Sequence, residues 1–359
     1  MNNSKHPLNF NFHGFVAAQI HTTSPQVSTF YEAEYKYHQV KKIDPDTPKV
    51  ILQFEYKPGW IPCPTGYIRQ TYKALAHWVY RIEFTKDQIN IDAYGNHFAI
   101  PMVHHMLLHP ALRYLACRQG VLMLHAGAVA YRGYSLIFTG HGGAGKTTIT
   151  SLTLASGGDD WAVHADDYVF LSAGPKSSAY ITRSHLYRDL ITLLPEIGTQ
   201  LTHSERFRLE LYGRLRSWSN EQITWPVRLP VNRLWPGHQL ATAVKPAALL
   251  LLEKGESNSL EVINIDPQEV PVKALIEMNF GEARHFLKLV RKNQAVTNFP
   301  SWLAKWQANE HALLEQRTKE IPVYLLIRPR VVESLPSFQE ALLKKMVDLI
   351  PQKETDYVT

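Results

Sequence analysis

The sequence predicts a mixed α/β fold whose N-terminal part is rich in strands. Three observations carry this expectation. Residues 28–100 alternate apolar and polar side chains with a period of two, most clearly where Tyr80, Ile82 and Phe84 interleave with Arg81 and Glu83. Residues 121–155 read as strand, tight turn, strand, glycine-rich loop and helix. Apolar runs at 162–171, 247–252 and 321–327 then alternate with helical stretches, as in a sheet covered by helices. With 359 residues and 45% hydrophobic content, the chain can support two domains. The expected division is a mostly antiparallel β unit at 1–105 and a second domain at 106–359.

Along the chain, residues 1–27 are polar and read as loose or as a single edge strand. Residues 50–56 are an extended run, 58–64 a proline-rich loop, and Thr85-Lys86-Asp87-Gln88 a turn before the strand carrying Ile89 and Ile91. Met102, Met106, Leu107, Leu112 and Leu115 have helical spacing, with Pro110 placed to kink or divide that helix. Residues 184–216 read as helical, and 217–240 as a long loop rich in Trp, Pro and Arg, either a recognition lid or a packed surface loop. Near the C-terminus, Ser337 and Glu340 have the spacing of a capping box.

Composition narrows the function classes. There are 38 Lys+Arg and 32 Asp+Glu, a net charge of +6 with no long run of one sign. Arg206, Arg208, Arg214 and Arg216 alternate with Phe207, Leu209, Leu211 and Leu215, which describes one side of an amphipathic element rather than a nucleic-acid surface. The two cysteines, Cys63 and Cys117, are too few for a disulfide framework or a metal-ligand set and are expected to be buried thiols. Met1-Asn2-Asn3-Ser4-Lys5 leads into no apolar leader, and the tract 247–252 is far too short to span a membrane. A cytoplasmic protein with no membrane partner is expected.

Chemistry concentrates in one stretch. Gly140-His141-Gly142-Gly143-Ala144-Gly145-Lys146-Thr147 matches the full Gly-x4-Gly-Lys-Thr phosphate-binding signature, with a strand before it and a helix after it. The glycines let backbone N–H groups turn inward around an anion, and the helix N-terminus adds partial positive charge. Lys146 is placed to reach the β- and γ-phosphates of a nucleotide, and Thr147 to offer a hydroxyl to Mg²⁺; Thr148 follows. About twenty residues on, Asp166 and Asp167 interrupt an apolar strand. Two adjacent carboxylates there need a cation or a proton near them. One can hold Mg²⁺ and the other can take a proton from an attacking hydroxyl. His125 lies on the strand before the loop strand; if the two form a hairpin, it comes near the phosphate loop.

Leu124-His125-Ala126-Gly127-Ala128-Val129, then Gly140 to Thr148, then Ala165-Asp166-Asp167-Tyr168-Val169-Phe170-Leu171 together resemble the HPr kinase/phosphorylase superfamily. Within it they are similar to the HPr-kinase-related serine kinases, which act on free serine or on peptide precursors, and more distantly to the phosphoenolpyruvate carboxykinases. The match covers 121–171. The resemblance implies a phosphoenolpyruvate-carboxykinase/HPr-kinase-like core with a mixed sheet, and an ATP- and Mg²⁺-dependent transfer to a serine hydroxyl. It implies Lys146 and Thr147 on phosphate and metal, and Asp167 or Asp166 as general base with His125 as its partner; the preferred order has Asp167 as base and Asp166 on the metal side. The substrate would be a serine-containing small molecule, peptide or protein, and homo-oligomers occur among HPr kinases. No Glu-Arg-Gly-Leu-Gly-like segment follows Asp167, so HPr itself and phosphorylase activity are not carried over. Arg183, Arg188 and Arg328 are the candidates for a further cation facing the transferred phosphate.

Overall fold

The computed structural model describes residues 6–174, 176–219, 225–256, 258–329 and 331–352. Met1–Lys5 and residues 220–224 of the Trp-rich stretch therefore lie outside the described residues. The chain forms two compact units, 1–123 with 271–315 and 124–270 with 316–359. A single cut at 105/106 differs from this division, because the chain leaves the first unit, completes most of the second and returns.

The first unit opens with β1 (Leu8–Phe12), β2 (Val16–His21), α1 (Pro25–Glu34), β3 (Gln39–Val40), β4 (Lys49–Tyr56), β5 (Ile68–Tyr72), β6 (Ala76–Phe84) and β7 (Gln88–Gly95). Residues before 28 thus supply two strands, and 25–34 is a helix within a stretch expected to be β. The strands form one sheet in the order β3-β1-β2-β4-β7-β6-β5. It is mixed rather than antiparallel: β2 pairs β4, and β4 pairs β7, in parallel. A parallel pair needs a crossover, and α1 lies in the one between β2 and β4, begun by Pro25 in its first turn. Period-two burial holds along β4 and β7, where Val50, Leu52 and Phe54 join Ile89, Ile91 and Ala93 in the core.

The helical stretch that follows is α2 (Ala99–Val103), one π-turn at His104–Leu108 and α3 (His109–Arg118). Pro110 falls in the first turn of α3, and the wider π-turn precedes it.

The second unit contains β8 (Leu122–Tyr131), β9 (Tyr134–Thr139), α4 (Lys146–Gly157), β10 (Trp161–Ala165), β11 (Tyr168–Ser172) and β12 (Lys176–Tyr180). β13 (Ser184–Leu186), α5 (Arg188–Leu193), α6 (Pro195–Thr199), α7 (His203–Trp218), β14 (Val227–Leu229), α8 (Val231–Leu234), β15 (Ala243–Lys254) and β16 (Glu261–Ile265) come next. The chain then gives α9 (Val272–Glu282) and α10 (Arg284–Asn293) to the first unit, crosses back within α11 (Phe299–Glu320), and ends on β17 (Val323–Arg328) and α12 (Leu335–Asp348).

In this unit β9 pairs β15, and β15 pairs β17, in parallel, while β8 and β9 form an antiparallel hairpin. Strands β8 and β15 are joined both through β9 and through β11 and β12, so the sheet is mixed. The turn of the hairpin holds Arg132 and Gly133 at φ 49° and 84°, as a two-residue type I′ connection requires.

Three local expectations change here. The 184–216 stretch begins as a strand, β13, whose partner β14 lies in the expected loop 217–240. The last helix starts earlier than the Ser337 box implies: Ser334 is its N-cap and accepts the Ser337 N–H at 3.5 Å, with Pro336 in the first turn. A full capping box instead starts α7, where the Thr202 hydroxyl accepts the Glu205 N–H at 3.3 Å and Glu205 accepts the Thr202 N–H at 2.9 Å. Of the two thiols only Cys117 is buried; Cys63 is exposed.

The returning segment is held in the first unit by a buried charge. The Arg113 Nε of α3 donates to Glu310 Oε1 of α11 at 2.8 Å, with both side chains almost wholly buried. The Trp306 Nε1 donates to the same carboxylate at 2.9 Å, and the Asn279 amide joins it at 3.2 Å. The guanidinium also lies 4.8 Å from the Phe280 ring centroid. Removing one member of such a pair strands the other in a medium that cannot solvate it. Glu310→Ala is expected to cost about 3–5 kcal/mol, read as a lowered urea midpoint, and the apolar double variant Arg113→Met/Glu310→Leu is expected to recover most of that loss.

Candidate functional site

The parallel strands β9, β15 and β17 end on one edge of the second sheet, and the glycine-rich loop leaves β9 at that edge. Ligands bind outside the carboxyl ends of strands in such sheets because loops and helix N-termini gather there. Gly145, the N-cap of α4, has φ 97°, a left-handed conformation that suits glycine. A Cβ on Gly145 would also lie 2.3 Å from an Arg328 guanidinium nitrogen. That arginine closes β17, in register with Lys254 at the end of β15. Its Nε has no hydrogen-bond partner among the described residues, and burial pushes its guanidinium below its ordinary pKa. Of the three candidate arginines, Arg328 is thus the one against the loop. Arg188 is half exposed and pairs with Glu210 at 3.4 Å, and Arg183 directly precedes β13.

Lys146 is buried, and its Nζ donates to the carbonyls of Gly140 at 2.9 Å and His141 at 3.3 Å. The loop therefore curls around its own ammonium group. Thr147 and Thr148 follow in the first turn of α4. Gly142 and Gly143 face open space, with no atom within 4 Å of where a Cβ would sit.

The hairpin brings His125 to the same place. Ala126 is the register partner of Thr139, the last residue before the loop, and the Thr139 hydroxyl donates to the His125 carbonyl at 3.1 Å. On the other side, the Ala126 N–H donates to the Asp167 carbonyl at 3.0 Å. The expected single strand 162–171 is in fact β10 and β11, with Asp166 and Asp167 forming the bend between them. His125 Nε2 lies 3.3 Å from Asp167 Oδ1, and its ring stacks on Tyr168 with centroids 5.1 Å apart.

Asp166 turns the other way. Its carboxylate accepts hydrogen bonds from the hydroxyls of Thr147 and Ser184, and from the His185 N–H at 3.3 Å. Although the residue keeps some solvent exposure, the carboxyl is enclosed by protein. Burial, with the second charge on Asp167 adding to it, pushes its pKa up to about 6 against the pull of those three donors.

Sequence patterns alone did not single out four contributors. Ser184 and His185 hold Asp166 from β13, a strand read as helix. Tyr187 stands within the field of both aspartates, which, after burial, push its phenol above its ordinary pKa. Gly127 allows a close approach: a Cβ there would lie 2.5 Å from the Thr150 hydroxyl of α4. Its place between two alanines of a buried strand was the available signal.

Among the described residues no group of three or more His, Cys, Asp or Glu side chains is arranged to hold a metal ion, and no helix is long and apolar enough to cross a membrane. No protein-family model and no curated protein matches the chain.

The Asp166 shift gives a signed pH dependence. Its folded pKa lies above the unfolded value of 3.8, so the stability it contributes is complete below pH 4 and is lost as pH rises through about 6. In metal-free buffer Asp166→Asn is expected to raise stability by on the order of 1–2 kcal/mol at pH 8 and by little near pH 4, measured as the difference in melting temperature at the two pH values. A larger gain at pH 4 would contradict it.

Proposed function

We propose that the chain is an ATP- and Mg²⁺-dependent kinase that transfers the γ-phosphate to a hydroxyl group, that of serine in a free amino acid, a peptide or a protein. The observation that carries this reading is convergence: the loop with Lys146 and Arg328, the Thr147–Asp166 contact and the His125–Asp167 pair meet at one edge of one unit. It agrees with the resemblance to the HPr kinase/phosphorylase superfamily and with a core of the phosphoenolpyruvate-carboxykinase type. A kinase using ATP in this way fits a cytoplasmic protein.

The residues suit the groups they would bind. A glycine-rich loop at a helix start, with the buried Lys146 and the half-buried Arg328 against it, is chemistry for polyphosphate. Thr147 and Asp166 offer hard oxygen donors for Mg²⁺, which is commonly held by one or two carboxylates and the phosphates themselves. When bound, Mg²⁺ neutralises charge on the phosphate oxygens. Lys146 would exchange its two loop carbonyls for phosphate oxygens, and Arg328 would face the charge from the β17 side.

Asp167 would accept the proton of the acceptor hydroxyl. The acceptor oxygen then forms its bond to the γ-phosphorus as the bond from that phosphorus to the β,γ-bridging oxygen breaks, and ADP leaves with the electron pair. His125, stacked on Tyr168, fixes the orientation of the Asp167 carboxylate. Catalysis would rest on positioning and charge stabilisation, with no covalent enzyme intermediate.

A γ-labelled ATP assay with Mg²⁺, free serine and a serine-terminated peptide tests this. Label is expected on one acceptor, falling about a hundredfold or more in Lys146→Ala and in Asp167→Asn. Label that stays on ATP while ATP still binds would replace the kinase with a nucleotide sensor, and transfer that is unchanged in Lys146→Ala would refute the assignment of the loop.

A further inference from the structure

Beside the aspartates the second unit carries a cleft of about 310 Å³, walled by Tyr187 and Thr192 on one side, Tyr212 and Arg216 of α7 on another, and Trp225. It is connected to the site by covalent structure. Ser184 and His185 hold the Asp166 carboxylate, and the same strand runs two residues on into Tyr187, the first wall of the cleft. The charges of Asp167, Asp166, Arg216 and Arg228 all act on the Tyr187 phenol. Arg228 is placed there by register, since it pairs with His185 across β13 and β14. Tyr187 therefore links the strand that holds Asp166 to the cleft, where the Arg216 guanidinium lies over its ring.

We infer that this cleft receives the phosphate acceptor, and that it selects an acceptor carrying a carboxylate close to the reactive hydroxyl. The inference rests on the kinase reading for the identity of the hydroxyl's fate, and on the cleft alone for the recognition of the carboxylate. The volume is at the small end for ligand pockets, enough for a short chain segment and too small for a folded surface. Three aromatic rings give planar walls; Tyr212 and Trp225 meet edge to face at 5.6 Å.

The charge in the cleft is exchangeable. Arg216 pairs with Asp189 at 3.0 Å, but the Asp189 side chain is 75% exposed. A surface pair of that kind contributes little, so a substrate carboxylate can compete with Asp189 for the fork of a guanidinium that lies 5.9 Å from the Tyr187 ring centroid. With its carboxylate on Arg216 and its hydroxyl past Tyr187, the acceptor presents its oxygen towards Asp167. There the proton passes to Asp167, the new oxygen–phosphorus bond forms and ADP departs. Two sources offer this chemistry: an acidic side chain next to serine, or the free carboxylate at a chain end.

Three probes separate them: acetyl-Ala-Ser-Glu-Ala-amide, the same peptide with Gln in place of Glu, and the dipeptide Ala-Ser with a free C-terminus. Against wild type, at least one carboxylate-bearing probe is expected to exceed the Gln peptide about ten- to hundredfold in kcat/KM. Arg216→Ala is expected to bring that ratio close to one, and Arg216→Lys to keep part of it. Preference for the Glu peptide names a side chain as the source, and preference for the dipeptide names a chain end. No preference in wild type, or a preference that survives Arg216→Ala in a protein with unchanged melting temperature, would overturn the inference.

Failure of the kinase reading is read separately. If wild type transfers label to none of the probes, calorimetric titration of the same three into wild type and Arg216→Ala still decides the cleft. Carboxylate-dependent binding lost in the variant supports it, and equal or absent binding refutes it.

Discussion

Helix α4 begins within contact distance of strand β8 because residue 127 has no side chain. A methyl group there would meet the Thr150 hydroxyl, and the helix would have to lift from the strand. Everything at the proposed site depends on that approach. Lys146 and Thr147 open the helix, His125 lies two residues before Gly127 on the strand, and Asp167 is hydrogen-bonded to Ala126 between them. One missing Cβ thus sets the spacing between the N-terminal end of a helix and the carboxylates. Because protein interiors pack densely, such spacing is fixed by the fold and not left to side-chain adjustment.

The electrostatics follow from the same compactness. Asp166 is held by two hydroxyls and one N–H rather than by a cation, so burial and its neighbour keep it ready to take up a proton. Arg328 is half-buried at the end of β17, with its buried Nε unpartnered among the described residues. Each is costly to a folded protein in isolation, and each becomes favourable when an opposite charge arrives. Sites for charged ligands are commonly built from such unsettled groups, since a group already well paired has little to gain from binding.

What could be read in the sequence was what is local. The loop signature, the strand before it and the helix after it depend on glycine conformation and on spacing over fifteen or so residues, and they fall where expected. The hairpin around Arg132-Gly133 and the nearness of His125 to the loop depend on one tight turn. What could not be read depends on distant partners. Strand β13 is three residues long and exists because β14, about forty residues on, pairs with it. Helix α1 sits in a stretch whose surroundings alternate like strands, and only the parallel pairing of β2 with β4 demands a crossover there. Ser337 gave way to Ser334 because Pro336 suits a first turn, so the helix starts before the spacing of Ser337 and Glu340 suggests. The cleft beside Tyr187 has no motif, because its walls come from a loop, two helices and a residue beyond them.

The return of residues 271–315 to the first unit sets an order of events during synthesis. Arg113 leaves the ribosome almost two hundred residues before Glu310, the carboxylate that neutralises it. Until then α3 lacks its partner α11, and β6 lacks α10, whose Leu289 carbonyl and Asn293 side chain bond to Tyr80 and Ile82. The second unit also closes late, because β17 with Arg328, and α12, which packs on α4, are made after Glu310. Residues 1–123, about a third of the chain, therefore wait for partners made much later, and a fragment ending at residue 123 would carry a buried-type arginine without its Glu310 partner.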